Sequence, residues 1–153
     1  MNNRMKTVFS ALAENEAFAR SAAAAFVMPL DPTVEELTEI KTAVSEAVSN
    51  SVIHGYSGWE DRSQAMVELE CEINGNGRVT IIVRDHGRGI ANVEKAMQPL
   101  FSTVESEERS GMGFTVMESF MDAVEVRSVV GHGTTVRLIK QIDVREEPLA
   151  RHA

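Results

Sequence analysis

The alternation of apolar and polar residues along the chain predicts five β-strands. The pattern is clearest where Val67, Leu69, Cys71 and Ile73 alternate with three glutamates, as expected for a strand with one buried face. The strands are predicted over residues 4–10, 67–73, 79–83, 124–130 and 134–142. The sequence Asn-Gly-Asn-Gly at residues 74–77 is typical of a hairpin turn, so the third strand should return beside the second.

Apolar residues at helical spacing predict two helices between the first and second strands. The first helix begins near Asn15 and is ended by the prolines at 29 and 32. Its core face is predicted to consist of Phe18, Ala22, Ala25 and Phe26. The second helix opens with the capping box Thr33–Glu36 and ends at Gly55. Its apolar stripe is predicted to consist of Leu37, Ile40, Val44, Val48 and Val52.

The order of the elements places the chain in the α+β class. A short helix near residues 94–97 and a longer helix after Gly113 are expected before the last two strands. This order favours a two-layer sandwich, in which a mixed, mainly antiparallel sheet is covered by helices on one face. A length of 153 residues fits one compact domain. We expect that domain to span residues 1–143 and to leave a loose, charged tail at 144–153.

The acidic composition argues against a general affinity for nucleic acid. The formal net charge is −8, whereas sequence-independent binding of DNA or RNA needs a basic face. Cys71 is the only cysteine, which excludes an internal disulfide and a zinc–cysteine cluster. The most apolar stretch, residues 22–30, is far shorter than the ~20 residues of a membrane span. We therefore expect a cytoplasmic protein with protein or nucleotide partners.

One polar row on the second predicted helix could carry chemistry. Glu46 and Asn50 lie one turn apart and opposite the apolar stripe, and His54 continues the row. Such a row can simply be the solvated face of a helix. A carboxylate and a carboxamide stacked in this way could also hold a metal-bound phosphate and activate a nucleophile. The spacing alone leaves both interpretations open.

Three glycine motifs lie at predicted element boundaries. Asp85-His-Gly-Arg-Gly89 directly follows a strand, so a sharp turn with a carboxylate at the strand end is expected. Gly111-Met-Gly113 is expected to open a helix, where free backbone N–H groups suit phosphate. Gly131-His-Gly-Thr-Thr135 joins the last two strands. Each motif alone is compatible with ordinary turns. The P-loop, the dinucleotide fingerprint and the protein-kinase motifs are absent.

Taken in order, these motifs resemble the four motif boxes of the GHKL ATPase and kinase superfamily, whose fold is of the Bergerat type. The order is Glu46-x-x-x-Asn50, Asp85-x-Gly-x-Gly89, a long lid, Gly111-x-Gly113 and Gly133-Thr134. Longer stretches are similar to the anti-sigma F factors of spore-forming bacteria, and this resemblance covers nearly the whole chain. They include Asn15-Glu-Ala-Phe-Ala-Arg20, Glu46-Ala-Val-Ser-Asn50 with His54-Gly-Tyr56, and Arg109-Ser-Gly-Met-Gly-Phe114.

The resemblance implies a site for ATP and Mg²⁺. Glu46 would act as a catalytic base toward a hydroxyl, and Asn50 would coordinate Mg²⁺ at the ATP phosphates. Asp85 would accept the adenine amino group, with Thr134 near the same edge. The remaining implied positions are Gly87 and Gly89 beside the base, and Arg109, Ser110, Gly111 and Gly113 at the phosphate end of a lid that begins near residue 91.

The resemblance also implies partners. Family members bind and inhibit a sporulation sigma factor of the sigma F type, phosphorylate a serine of an anti-anti-sigma protein, and work as homodimers. We expect the outer side of the first helix, at Glu16 and Arg20, to form part of the protein-binding surface. Two alternatives are an ATP-gated sigma-sequestering module without significant kinase activity, and the equivalent kinase of a stress-response sigma system. The pairing of Glu46 with Asn50 favours a kinase, because binding alone needs no base.

Overall fold

The computed structural model describes residues 2–98 and 113–143 completely, together with the backbone of residues 108–112. The five predicted strands are present, with bounds that differ from the prediction by at most two residues. They are β1 (Asn3–Ser10), β2 (Met66–Asn74), β3 (Arg78–Asp85), β4 (Ala123–Val129) and β5 (Gly133–Gln141). The helices are α1 (Asn15–Val27), α2 (Val34–Asn50), α3 (Val93–Met97) and α4 (Glu108–Phe120), and a π-helical turn (Ser51–Gly55) extends α2.

The strands form one sheet in the order β1-β2-β3-β5-β4, with β1 and β4 at its edges. Each pairing between the described strands is antiparallel. Cys71 lies in register between Met5 of β1 and Ile81 of β3. The predicted α+β class is confirmed, and the parallel component that a mixed sheet would include is not found among these strands.

The core lies between the sheet and the helices, as the alternation predicts. Val67, Leu69, Cys71 and Ile73 are fully buried, and the apolar stripe of α2 packs above the sheet. Burial raises the pKa of the Cys71 thiol to about 12. This cysteine is therefore a protonated core residue, as the sequence predicts, with little of the thiolate character that reactivity needs.

The N-terminal end of α2 forms as its capping box predicts. Thr33 Oγ1 accepts the backbone N–H of Glu36 at 3.0 Å, and the Glu36 carboxylate accepts the backbone N–H of Thr33 at 2.8 Å. These two bonds satisfy groups that a helix start otherwise leaves unpaired. They fix where α2 begins, and hence which of its residues reach the sheet.

The prediction for the core face of α1 was partly wrong. The fully buried residues are Ala19, Ala23 and Val27, whereas Phe18 is 49% exposed and Ala25 is exposed. α1 packs against α2, and small side chains at such a contact let two helix backbones approach closely. The large ring of Phe18 instead lies at the rim, edge-on to Phe9 with ring centroids 5.9 Å apart.

The start of the last helix also differs from the prediction. α4 begins at Glu108, five residues before the expected start at Gly113, so Gly111 and Gly113 lie inside the helix. Glycine inside a helix costs about 1 kcal/mol relative to alanine. A glycine kept there needs a packing reason, and the surroundings of Gly113 supply one, as described below.

Part of the predicted lid and the predicted tail lie outside the described residues. The described part of the lid contains α3, whose N-cap Asn92 accepts the backbone N–H of Lys95 at 2.9 Å. Residues 99–107 and 144–153 are not described. Across the described ranges, no helix has the length and apolar character needed to cross a membrane.

Candidate functional site

The polar row of α2 meets α4 at Gly113. A Cβ atom added to Gly113 would lie 3.2 Å from Asn50 Nδ2, 3.3 Å from Asn50 Oδ1 and 3.3 Å from Glu46 Oε1. The helix backbone therefore approaches both side chains so closely that any side chain at position 113 would press on them. We call Glu46, Asn50 and Gly113 the Asn50 end of the site.

The Asn50 amide carries an unusual polar atom. Its Nδ2 is buried and has no hydrogen-bond partner within the part of the chain that the structure describes. A buried polar group without a partner is costly, by about 1–3 kcal/mol. Such an atom in a native fold marks a place where a water molecule or a ligand can accept a hydrogen bond.

The π-helical turn that follows α2 brings Ser51 and Gly55 beside β3. Ser51 Oγ donates a buried hydrogen bond of 2.8 Å to Asp85 Oδ2. A Cβ atom on Gly55 would lie 3.0 Å from Asp85 Cγ, so the turn fits tightly against the carboxylate. Turns of this kind inside helices are frequent at functional sites.

Asp85 is held by three donors from different parts of the chain. Besides Ser51, the backbone N–H groups of Gly87 and Thr134 donate to its Oδ1 at 3.0 and 3.3 Å. The residue is only 5% exposed. An ionised carboxylate can accept about four hydrogen bonds, so one acceptor position is left for a donor in the adjoining cavity. We call Asp85, Ser51, Gly87 and Thr134 the Asp85 end.

The two glycines that follow Asp85 are required by close backbone packing. A Cβ atom on Gly87 would lie 1.9 Å from the carbonyl oxygen of Gly55. Gly89 has a φ of +76°, and a Cβ atom there would lie 2.5 Å from the carbonyl oxygen of Val129. Only glycine fits either position without moving backbone.

Thr134 is placed through Ser128 of the neighbouring strand. The two hydroxyl oxygens are 2.8 Å apart, and Ser128 Oγ also accepts the backbone N–H of Ile90 at 2.7 Å. Ser128 therefore ties the loop after Gly89 to the last hairpin. This serine was not predicted as a site residue, because nothing in its spacing in the sequence marks it.

No role was predicted for Tyr56, which is fully buried and supports the chain next to Asp85. Its hydroxyl accepts the backbone N–H of His86 at 2.9 Å and donates to the carbonyl of Met66 at 2.5 Å. Burial raises the pKa of Tyr56, and the negative charge of Asp85 adds to this effect. The hydroxyl therefore stays protonated and can keep both bonds near neutral pH.

The two ends open onto one cavity of about 670 Å³. Its walls combine apolar side chains such as Phe114 and Val136 with the cationic side chains of Arg88 and Lys95. His54, the last member of the polar row, also lines it. A volume of this size, with few polar groups at fixed points, suits a ligand of nucleotide size.

The residues predicted to bind phosphate fall into two groups. Gly113 is in place at the Asn50 end, whereas Arg109, Ser110 and Gly111 are placed only as backbone in the first turns of α4. A helix start points free N–H groups and a partial positive charge toward an anion. The N-terminal part of α4 therefore remains a candidate for phosphate binding.

The Asn50 end fits the Mg²⁺ that the fold family implies. Mg²⁺ prefers oxygen ligands and usually takes one or two from the protein, with the rest from phosphates and water. The described residues offer no group of three or more His, Cys, Asp or Glu side chains placed for a metal. Asn50 Oδ1 could supply one such oxygen ligand, while the unpartnered Nδ2 is a donor that a phosphate oxygen beside the metal could accept from.

Glu16 and Arg20 do not belong to this cavity. They lie one turn apart on α1 and form an ion pair of 3.6 Å, with side chains 32% and 38% exposed. Arg20 borders a smaller groove of about 270 Å³ between α1 and α2, together with Lys41. The prediction of a separate surface on the first helix is thus compatible with the structure, although both side chains are half-buried rather than fully outward.

Comparison with known proteins defines the family. Residues 9–140 match the model of the histidine kinase-like ATPase domain. The anti-sigma F factor of Anoxybacillus flavithermus is 56% identical over 142 residues, or 93% of this chain and 94% of that protein. The anti-sigma F factor of Clostridium beijerinckii is 54% identical over 143 residues, or 94% and 97%. The chain therefore belongs to the histidine kinase-like ATPase domain family and, within it, to the anti-sigma F factors.

Two solved structures share the fold at low identity. The RsbU and RsbW domains of Rv1364c from Mycobacterium tuberculosis align with a TM-score of 0.68 and 19% identity, over 95% of this chain and 33% of that one. A histidine kinase domain from Erythrobacter litoralis aligns with a TM-score of 0.54 and 20% identity, over 83% and 60%. The predicted GHKL fold and the resemblance to anti-sigma F factors are confirmed.

Proposed function

We propose that this protein is an anti-sigma factor and ATP-dependent serine kinase. It binds and inhibits a sporulation sigma factor, and it phosphorylates a serine of an anti-anti-sigma protein. The observation that carries the proposal is the meeting of Glu46 and Asn50 with Gly113, beside a cavity that Asn50 shares with the firmly held carboxylate of Asp85. A nucleotide-binding site with a carboxylate beside its metal-binding amide has what phosphoryl transfer to a hydroxyl needs.

The Asp85 end would receive the adenine base. The free acceptor position on the carboxylate suits the exocyclic amino group, which is a donor. Gly87 and Gly89 would act indirectly, because their missing side chains let the turn after Asp85 pack against the backbone of Gly55 and Val129 and so shape the wall of the site. Three donors from the chain hold the carboxylate before any ligand arrives, so little ordering is left to occur on binding.

The Asn50 end would receive the phosphates. Asn50 would hold Mg²⁺, which neutralises phosphate charge when bound. Arg109, Ser110, Gly111 and Gly113 would contribute the start of α4, and Glu46 would accept the proton of the attacking serine hydroxyl. The serine oxygen then bonds to the γ-phosphorus as the bond to the β-phosphate oxygen breaks, which leaves ADP and phosphoserine.

A phosphoryl-transfer assay tests the enzymatic part of the proposal. Purified protein is incubated with Mg²⁺, ATP labelled at the γ-phosphate and an anti-anti-sigma protein, and the label is followed into phosphoserine. A partner with the acceptor serine changed to alanine is the matched control. ATP binding with no transfer to the intact partner would favour the ATP-gated sequestering module instead.

The α1 surface supports the proposed protein partners. Arginine is enriched at binding hot spots, and Arg20 is oriented by Glu16 at the rim of a groove. We place part of the sigma or anti-anti-sigma contact there. The edge strand β1 could contribute to a homodimer, because one edge of its backbone has no partner among the described strands.

Reversing the charge of Arg20 tests this surface. Arg20→Glu should weaken binding of the sigma factor or of the anti-anti-sigma protein by about 2 kcal/mol, or roughly 30-fold. ATP affinity and melting temperature should change little, because the residue lies outside the cavity and the core. Arg127→Glu, on the exposed face of β4, is the control with the same charge change. Undiminished binding of both partners would place the contact elsewhere.

A further inference from the structure

A lysine occupies a position in the core pattern of β5. Val136, Leu138 and Ile142 are buried on the face of the sheet that meets the helices, and Lys140 shares that face at 7% exposure. A buried ammonium group is strongly unfavourable unless it is paired and hydrogen-bonded. The contacts of Lys140 therefore indicate its structural role.

Lys140 contacts two different helices. Its Nζ donates to the backbone carbonyl of Phe120, the last residue of α4, at 2.7 Å. It also forms an ion pair of 3.0 Å with Glu39 of α2. The first contact satisfies a carbonyl that the helix end leaves unpaired, and it places a positive charge at the negative end of α4. We call Glu39, Lys140 and the Phe120 carbonyl the clamp.

The clamp and the Asn50 end are separated by the same number of residues along α2 and along α4. Glu39 lies seven residues before Glu46 on α2, and Phe120 lies seven residues after Gly113 on α4. Seven residues are about two helical turns, or ~10 Å, and they return to nearly the same helix face. The two helices thus run antiparallel and are linked at two matched points. Lys140 bridges them at the clamp, and Gly113 meets Glu46 and Asn50 at the other point.

Two matched contacts fix the register of α4 along α2. If α4 slid by one residue, a side chain such as that of Phe114 would face Asn50, where even a single Cβ atom lies within 3.2–3.3 Å. Packed helices do not deform continuously to absorb such a shift. The position of the Asn50 end therefore depends on what holds the far ends of the two helices.

We infer that Lys140 is a positioning residue for phosphoryl transfer, acting through the clamp to hold Gly113 and the start of α4 against Glu46 and Asn50. This inference rests on the proposed kinase function. Lys140 contacts neither end of the site directly. A misplacement of about 1 Å can lower a rate by about 10²-fold, so a group ~10 Å away can control catalysis if it sets helix register.

The test compares rates in fully folded protein. Lys140→Met and Glu39→Gln are assayed for kcat at saturating ATP and partner, at a temperature where thermal melts show each variant folded. We expect Lys140→Met to lose about tenfold or more in kcat, and Glu39→Gln to lose less because the bond to Phe120 remains. Arg137→Gln, which removes an exposed ion pair with Glu125 on the outer face of β5, is the matched control and should keep the parent kcat.

A double-mutant cycle separates positioning from stability. The double variant should lose no more kcat than Lys140→Met alone, because both changes open the same clamp. Lower melting temperatures with kcat unchanged in both single variants would overturn the inference. So would additive losses in the double variant, or an equal loss in the Arg137→Gln control.

Hydrogen exchange keeps this inference distinct from the proposed function. In ATP-free protein, Lys140→Met should speed amide exchange over residues 113–120 more than over β2. If the parent protein transfers no phosphate, only the kinase proposal fails. Hydrogen exchange still tests whether the clamp holds α4 in place. Unchanged exchange at the start of the described part of α4 would contradict it.

Discussion

The two ends of the cavity differ in how completely the chain satisfies them. At the Asp85 end, three donors from three separate elements hold one carboxylate, and the backbone packs so closely that Gly87 has no room for a Cβ atom. At the Asn50 end, a buried amide nitrogen has no partner within the described residues. Folding supplies most hydrogen-bond partners at the Asp85 end, whereas the amide donor at the Asn50 end is left for a ligand.

This difference has an energetic meaning. The bonds at Asp85 form with the fold, so a base that binds there meets acceptors that are already oriented. The unsatisfied Asn50 amide is a local cost of about 1–3 kcal/mol to the free protein. A bound phosphate oxygen that accepts from Nδ2 would remove that cost. Changes at the Asn50 end should therefore affect catalysis more than stability.

The largest expected effect comes from Glu46→Gln. Removing a positioned general base typically lowers a rate by about 10²–10⁴-fold, whereas the amide keeps the shape of the side chain. Single-turnover phosphoryl transfer should fall in this range, and calorimetry should show ATP binding close to that of the parent. Glu35→Gln, in the first turn of the same helix, is the control. Transfer at the parent rate would reduce Glu46 to a residue of a polar helix face.

Asp85→Asn should act on affinity and on the fold together. Hydrogen bonds to charged groups contribute about 1.5–3 kcal/mol, so ATP should bind roughly ten- to a hundredfold more weakly. Because the carboxylate also accepts from Ser51, Gly87 and Thr134, the melting temperature should fall as well. Asp61→Asn, in the exposed loop before β2, is the control for loss of a carboxylate. Equal ATP affinity in mutant and parent would leave Asp85 as a structural residue only.

The sequence was sufficient to predict the parts of this molecule that depend on local pattern. The five strands, the capping box at Thr33 and the core position of Cys71 follow from alternation and spacing alone. The motif residues of the site could also be named, because their types and order are specific. Their roles in binding and catalysis remain predictions.

What could not be predicted depends on contacts between distant elements. Ser51 reaches Asp85 only because α2 continues into a π-helical turn, and Ser128 reaches Thr134 through sheet register. The prediction for the core face of α1 was partly wrong because the large apolar side chain of Phe18 suggested a buried residue. The close contact between α1 and α2 instead buries alanines. Glycines that suggested a helix start at residue 113 instead mark a close crossing inside the helix.

The smallest expected effect comes from Gly113→Ala, which adds one methyl group next to Asn50 and Glu46. Alanine favours a helix interior by about 1 kcal/mol over glycine, so the melting temperature should stay level or rise. The new Cβ atom would press on Asn50 and Glu46 from 3.2–3.3 Å, and these side chains can yield by a few tenths of an ångström. Phosphoryl transfer should therefore fall about three- to tenfold.

The same substitution at the Asp85 end completes the comparison. Gly87→Ala would place its Cβ atom 1.9 Å from the backbone oxygen of Gly55, which cannot yield as a side chain does, so melting temperature and ATP affinity should both drop. Thermal melts, calorimetry and transfer rates of the two alanine variants separate the cases. If Gly113→Ala lowered the melting temperature as much as Gly87→Ala does, the surroundings of Gly113 would be packed as tightly as those of Gly87. That result would contradict a ligand-binding role for the unpartnered Asn50 amide, because the packing around Asn50 would then serve the stability of the fold.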